Sequence, residues 1–245
     1  MSLIRRILAV ALFLLPLPPA VLAQCRVQSS SPRPHLVELY TSSGCNSCPP
    51  AERWMSTLRK HADLIGLEFH VDYWDTAEWH DPFSERAYTS RQQVIAKRRN
   101  KDQVYTPQIW LDGRVWVNWP KGSPPEPADA EAPVVELALD AGDPVHVAID
   151  VGSAGSKPDY RVYAALVETG LSEYVRAGEN GGKTLSFDEV VRAFAGPFTL
   201  PHAEFELKPP PRANRAQTSV VAFVQDETSG DVVQAVRAPL QGCAK

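Results

Sequence analysis

The sequence predicts an α/β domain followed by an all-β, sandwich-like domain, and three observations carry that reading. Between residues 35 and 142, strand-like and helix-period segments alternate, the pattern of β-α-β units. After Asp143-Pro144 the apolar residues fall at every second position, as in strands that bury one face. Composition supplies the third: 44% hydrophobic and 22% charged residues are ordinary for a globular chain with a sizeable core.

Each element has its own signal. Residues 24–34 are polar and proline-bearing and read as a loose leading segment. Leu36 to Tyr40 reads as a strand and Thr41 to Gly44 as a loop. Ala51, Trp54, Met55, Leu58 and Ala62 then recur at helical spacing. Leu64 to Val71 is a second strand, Asp72 to Phe83 an irregular aromatic stretch, and Arg86 to Arg98 a second helix. Gln108–Leu111 and Val115–Trp119 flank Asp112-Gly113, a strong hairpin signal. Prolines crowd Pro120–Pro127 and require a loop, while Pro133 to Leu139 fits a short helix with proline in its first turn, stopped by Gly142. The resulting order, β-α-β-α-β-β-α, implies parallel pairing early and an antiparallel pair at the hairpin.

Alternation then takes over at Val145–Val151, Tyr160–Leu166 and Ala203–Leu207. Ser219–Gln225 and Asp231–Arg237 are β-rich runs around a loop ending in Gly230. Gly178-Glu179-Asn180-Gly181-Gly182 is a turn cluster, and Phe187–Phe194 fits either a strand or a helix. Several short strands with turn signals between them suggest a sandwich over 143–243.

Residues 1–23 read as an export signal. Arg5 and Arg6 precede an unbroken apolar run from Ile7 to Leu15, and Val21-Leu22-Ala23 offers a cleavage site. The run is much shorter than the roughly 20 residues a bilayer span needs, so no membrane anchor is expected after cleavage. Gln24, ahead of Cys25, is too large for a lipid-attachment site. A periplasmic or secreted location follows, where disulfides persist. Loss of Arg5 and Arg6 would take the formal charge from -4 to −6, which removes any electrostatic case for nucleic acid.

Four cysteines remain: Cys25, Cys45, Cys48 and Cys243. Cys45 and Cys48 follow a predicted strand and open a predicted helix. Pro49 and Pro50 are tolerated only in a first turn, which starts that helix at or just before Ser47. Cys45 then sits at the positive end of the helix dipole, a position that favours a thiolate. Cys48, predicted inside the first turn, is placed to resolve a mixed disulfide on Cys45. Cys25 and Cys243 are expected to form a structural disulfide between the chain ends, because the count is then even and domain termini often lie close together. Free thiols on frayed ends are the alternative.

Cys45-Asn46-Ser47-Cys48 at a strand-to-helix turn, with Thr106-Pro107 ahead of a hairpin, resembles the thioredoxin superfamily. Val37 to Cys45, His70 to Asp75, Val104 to Gln108, Gly178-Glu179-Asn180 and Val190-Val191-Arg192 are similar to the secreted bacterial family called domain of unknown function 1223. The resemblance implies a thioredoxin-like fold for 35–142, a cis Thr106–Pro107 bond beside the dithiol, and a groove shaped by Pro107 in which Thr106 pairs with an extended substrate. Asn46-Ser47 stands where common thioredoxins carry Gly-Pro, which leaves the direction of electron flow open.

Other residues admit two readings each. Glu38 is either a buried carboxylate under the dithiol or a half-exposed strand residue. Asp72 ends a strand at the sheet edge where sites gather, or caps a loop. Trp74, with Trp79, Phe83 and Tyr88, either lines a substrate groove or simply packs. His70 reads as a packed histidine, and Arg91, Lys97, Arg98, Arg99 and Lys101 as a solvated helix face. The leading expectation is a thiol–disulfide oxidoreductase acting on protein thiols or disulfides of the cell envelope, without cofactor or metal. The rivals are a copper or zinc carrier, which the two methionines poorly equip, and a binding module in which Cys45–Cys48 is an inert clip.

Overall fold

In a computed structural model the chain is described over residues 25–101, 103–121, 132–153, 155–241 and 243. The export-signal segment, 1–23, lies outside the described residues. The strands are β1 (Cys25–Gln28), β2 (His35–Thr41), β3 (Leu64–His70), β4 (Gln108–Leu111), β5 (Arg114–Val115), β6 (Val135–Asp140) and β7 (Val145–Val151). They continue as β8 (Tyr160–Glu168), β9 (Leu171–Tyr174), β10 (Thr184–Phe187), β11 (Val190–Thr199), β12 (His202–Leu207), β13 (Thr218–Asp226) and β14 (Val232–Pro239). The helices are α1 (Pro49–Leu58), after β2, and α2 (Arg86–Arg98), after β3.

An α/β thioredoxin-like domain followed by an all-β domain is not what this chain forms. Strands hold 43% of the described residues and helices 14%. One mixed sheet, in the order β14-β13-β8-β11-β3-β2-β4-β5, draws strands from both sides of Gly142. Its junction is the parallel contact of β11 with β3, where Val190 opposes Glu68 and the Glu68 N–H donates to Glu189 O at 2.7 Å. β2 and β3 are parallel; β2–β4 and β4–β5 are antiparallel. The Asp112-Gly113 turn has positive φ at both residues, as a two-residue hairpin requires.

Two sequence expectations fail for one physical reason. The segment expected as a helix at 133–139 is β6, and the supposedly loose segment contains β1, which pairs with it. Val135, Leu137 and Leu139 are buried while Val134 and Glu136 are exposed. That is a period of two, and a pairing strand on either side rewards it more than a proline-started helix would. Phe187–Phe194 resolves mainly as strand, and the strand expected at Val115–Trp119 is cut to β5.

Parity along the strands sorts the core. Val162, Ala164 and Leu166 of β8 meet the antiparallel sheet β1-β6-β7-β12. Their neighbours Tyr163, Ala165 and Val167 join Leu36, Tyr40, Phe69 and α2 on the opposite face. Helix α1 packs Ala51, Met55 and Leu58 on Val37, Leu39, Ile109 and Leu111. The β9–β10 hairpin stands apart as its own two-stranded sheet.

Candidate functional site

Cys45 and Cys48 form a disulfide, with Cα atoms 5.5 Å apart, in the turn from β2 into α1. Pro49 and Pro50 occupy the first two helical positions and Cys48 is the N-cap. The helix therefore starts after Cys48, not at or before Ser47. With no N–H on either proline, the first helical donors are Ala51 N and Glu52 N, which both reach Cys48 O, at 2.8 and 3.2 Å. Both cysteines are fully buried, so neither is the exposed member of the pair.

Beneath the turn lies a group of buried ionisable side chains. Thr41, Glu68 and His70 point to the α1 side of the sheet, because Thr41 opposes His70 and Leu39 opposes Glu68 in the parallel register. Glu52, one helical turn beyond Cys48, accepts a hydrogen bond from Thr41 Oγ1 at 2.7 Å. His70 lies 2.8 Å by Nδ1 from Asp81 Oδ2 and 3.1 Å by Nε2 from Glu68 Oε1. Asp81 Oδ2 also accepts from Ser43 N at 2.8 Å, tying the loop after β3 to the residues before Cys45. Glu68 Oε2 is buried without a hydrogen-bond partner.

Charge in this group is set by burial first. Burial would push the His70 imidazole down, but Asp81 and Glu68 against its two nitrogens raise it to about 10. For Asp81 burial opposes ionisation, yet His70 and the Ser43 N–H hold it well below the usual carboxylate range. Burial raises Glu52 from 4.5 to about 8, reinforced by Glu68 and partly offset by His70. It raises Glu68 too, and there His70 opposes the rise. The turn thus rests on a charged His70–Asp81 pair flanked by Glu52 and Glu68, whose carboxyls burial shifts toward the protonated form.

Glu38 lies elsewhere. It is on the α2 face of β2, and both carboxylate oxygens are committed to Arg91, at 2.7 and 2.9 Å, with Tyr40 Oη donating at 3.0 Å. The Arg91 guanidinium sits 5.0 Å from the ring centres of Tyr163, Phe194 and Phe223. Arg91 is therefore a core residue rather than part of a solvated helix face. Asp72 opens a short 3₁₀ turn that its side chain does not cap; its Oδ1 accepts the Thr89 hydroxyl at 2.5 Å and its N–H donates to Thr89 Oγ1 at 3.1 Å. Trp74 Nε1 donates to Thr106 Oγ1 at 2.8 Å, and the Thr106–Pro107 bond is cis. Cys25 and Cys243 are joined by a disulfide, with Cα atoms 5.1 Å apart.

Glu52, Glu68 and Asp81 went unnoticed in the sequence. For Glu52 the signal was its place four residues after Cys48 on the inward side of an amphipathic helix. Asp81 had none, since it reaches the site from an irregular loop.

Taken together, these features define a mostly β protein with a CxxC disulfide on a strand-to-helix turn, backed by a buried carboxyl–histidine group. The chain belongs to the family described as Protein of unknown function (DUF1223), which matches residues 36–225. It is similar to the crystal structure of protein AGR_C_4864 from Agrobacterium tumefaciens, at 25% identity and a TM-score of 0.58, over 83% of this chain and 92% of that one. It also shares its fold with HBP35 of Porphyromonas gingivalis, at 13% identity and a TM-score of 0.61, over 85% and 76% of the two chains. No curated protein matches it. Among the described residues no helix is long and apolar enough to cross a membrane.

Proposed function

We propose that this chain is a thiol–disulfide oxidoreductase of an oxidising compartment outside the cytoplasm, acting on protein thiols or disulfides. The observation that carries the reading is the Cys45–Cys48 disulfide ahead of α1, where the positive end of the helix dipole favours negative charge on sulfur. In the reducing direction the Cys45 thiolate attacks one sulfur of a substrate disulfide and releases the other as thiolate. Cys48 then attacks Cys45 Sγ, the Cys45–substrate bond breaks, and the second substrate thiolate leaves. The substrate gains two electrons and the Cys45–Cys48 disulfide re-forms. Beside Pro107 we assign the Thr106 backbone to pairing with the substrate and Trp74, hydrogen-bonded to the Thr106 side chain, to the groove.

Trapping tests this. Cys48→Ala should hold partners on Cys45 as mixed disulfides that a reductant releases. A variant that traps nothing, together with a wild type that exchanges no protein disulfide, would overturn the reading. One observation favours a rival, in which Cys45–Cys48 is an inert clip in a binding module: both cysteines are fully buried.

A further inference from the structure

The dithiol turn is held by a second segment of the chain. A turn at the end of a sheet is ordinarily open, but here the loop between β9 and β10 lies over it. That loop is closed on itself: Val175 N donates to Lys183 O at 2.9 Å, Gly182 N to Val175 O at 2.8 Å and Gly181 N to Gly178 O at 3.1 Å. It behaves as a preformed unit on a two-stranded stalk that pairs with no other sheet.

Its hydrogen bonds to the turn go to backbone atoms of residues 43–46, and at the foot of the loop the Ser43 hydroxyl donates to Glu173 Oε2 of β9 at 2.7 Å. Asn180, itself fully buried, donates through Nδ2 to Ser43 O at 3.0 Å and Cys45 O at 2.8 Å. Its Oδ1 accepts from Lys183 Nζ at 2.9 Å, which fixes the amide. Glu179 N donates to Gly44 O at 3.1 Å, and Glu179 Oε2 accepts from Asn46 N at 3.1 Å. Gly178 has φ +76°, and a Cβ there would lie 3.3 Å from Gly44 Cα, so the two backbones meet directly.

The backbone groups occupied this way are of the kind an extended chain pairs with. Gly44 O and Cys45 O are acceptors and Asn46 N is a donor, a set that an extended peptide satisfies with its own main chain. We propose that Asn180 and Glu179 are specificity-determining latch residues: the 175–183 loop must leave residues 43–46 before Cys45 can exchange, and the partner admitted is an extended polypeptide segment that takes over the vacated backbone groups. The proposal rests on the oxidoreductase reading for its substrate, but the latch itself is tested on the dithiol alone.

The experiment uses the full oxidised chain and dithiothreitol. One thiolate of the reagent attacks a sulfur of the Cys45–Cys48 disulfide and displaces the other. The reagent's second thiol then closes a cyclic disulfide and leaves both cysteines reduced. Timed alkylation and peptide mass spectrometry give separate rates for Cys45–Cys48 and for Cys25–Cys243. Asn180→Ala should speed reduction of Cys45–Cys48 at least tenfold, and Glu179→Ala severalfold, with Cys25–Cys243 unchanged. Equal Cys45–Cys48 rates in wild type and both variants, or parallel acceleration of both disulfides, would overturn the latch. Should Asn180→Ala fail to fold, hydrogen exchange on the wild type decides. The Asn46 and Glu179 amides should exchange together and well ahead of β2 and β3 amides, and protection equal to those strands would reject an opening loop. A faster Asn180→Ala dithiol that still exchanges no protein disulfide keeps the latch and sinks the oxidoreductase reading. Partner trapping on Cys45 with no effect of either latch variant does the reverse.

Discussion

Replacing Glu52 by glutamine should flatten the pH dependence of stability between about pH 5 and pH 8. Glutamine keeps an oxygen for the Thr41 hydroxyl but cannot ionise. In the folded chain burial raises Glu52 from 4.5 to about 8. Across that window the folded state holds a proton the unfolded state has released, so stability falls as pH rises. At about 1.36 kcal/mol per pH unit, a rise of that size amounts to about 5 kcal/mol lost between pH 4.5 and 8 in the wild type. His70, raised to about 10, also loses stability with rising pH, but only above its ordinary value near 6.5. The difference between wild type and Glu52→Gln therefore reports Glu52 together with its coupling to Glu68 and His70. Urea unfolding of the disulfide-intact proteins at half-unit pH steps measures it. The variant should be the more stable at pH 8 by a few kcal/mol, and the gap should close towards pH 5. Parallel stability curves across the window would show that Glu52 ionises normally and would refute the buried-carboxyl account of the site.

Three further outcomes follow. Glu38→Ala should cost about 3–5 kcal/mol, as expected when a buried ion pair loses one partner, while leaving the rate of Cys45–Cys48 reduction unchanged. Denaturant unfolding and the dithiothreitol assay together separate the two effects. Gly113→Ala should lower the thermal midpoint by many degrees, because φ is +78° and a Cβ would lie 1.9 Å from Gly230 O. Calorimetry would contradict this with a midpoint near wild type. Cys25→Ser should cost about 2–5 kcal/mol through loss of a bridge with sequence separation 218, measurable as a lower urea midpoint under non-reducing conditions.

Local signals were legible in the sequence where one segment carried them whole. The Asp112-Gly113 hairpin, the parallel β2–β3 pair and the proline-fixed start of α1 are set by neighbours in the chain, and they were read to within a few residues. The merging of strands into one sheet was not, because β11 meets β3 through a single register pair between residues far apart. Nothing in a helix-period or strand-period pattern specifies which edge a strand joins. The candidate carboxylate illustrates the same point at atomic scale. Glu38 and Thr41 are an odd number of positions apart on β2, so they face opposite sides. Which side α1 would choose fixes whether Glu38 or the Glu52–Glu68 pair sits near the dithiol, and only packing decides that.

The bridge between Cys25 and Cys243 also imposes a timetable. Synthesis delivers Cys25, Cys45 and Cys48 almost together, whereas Cys243 comes 195 residues after Cys48. The 175–183 loop that covers the dithiol likewise arrives after β2, α1 and β3. A chain oxidised while still growing holds three thiols and no correct partner for the first of them. Early closure of Cys45 with Cys48 leaves Cys25 single until the end, while a Cys25–Cys45 or Cys25–Cys48 link must be undone before β1 can lie against β6. Order of oxidation, rather than the final set of contacts, thus governs how much of the protein reaches its native pairing.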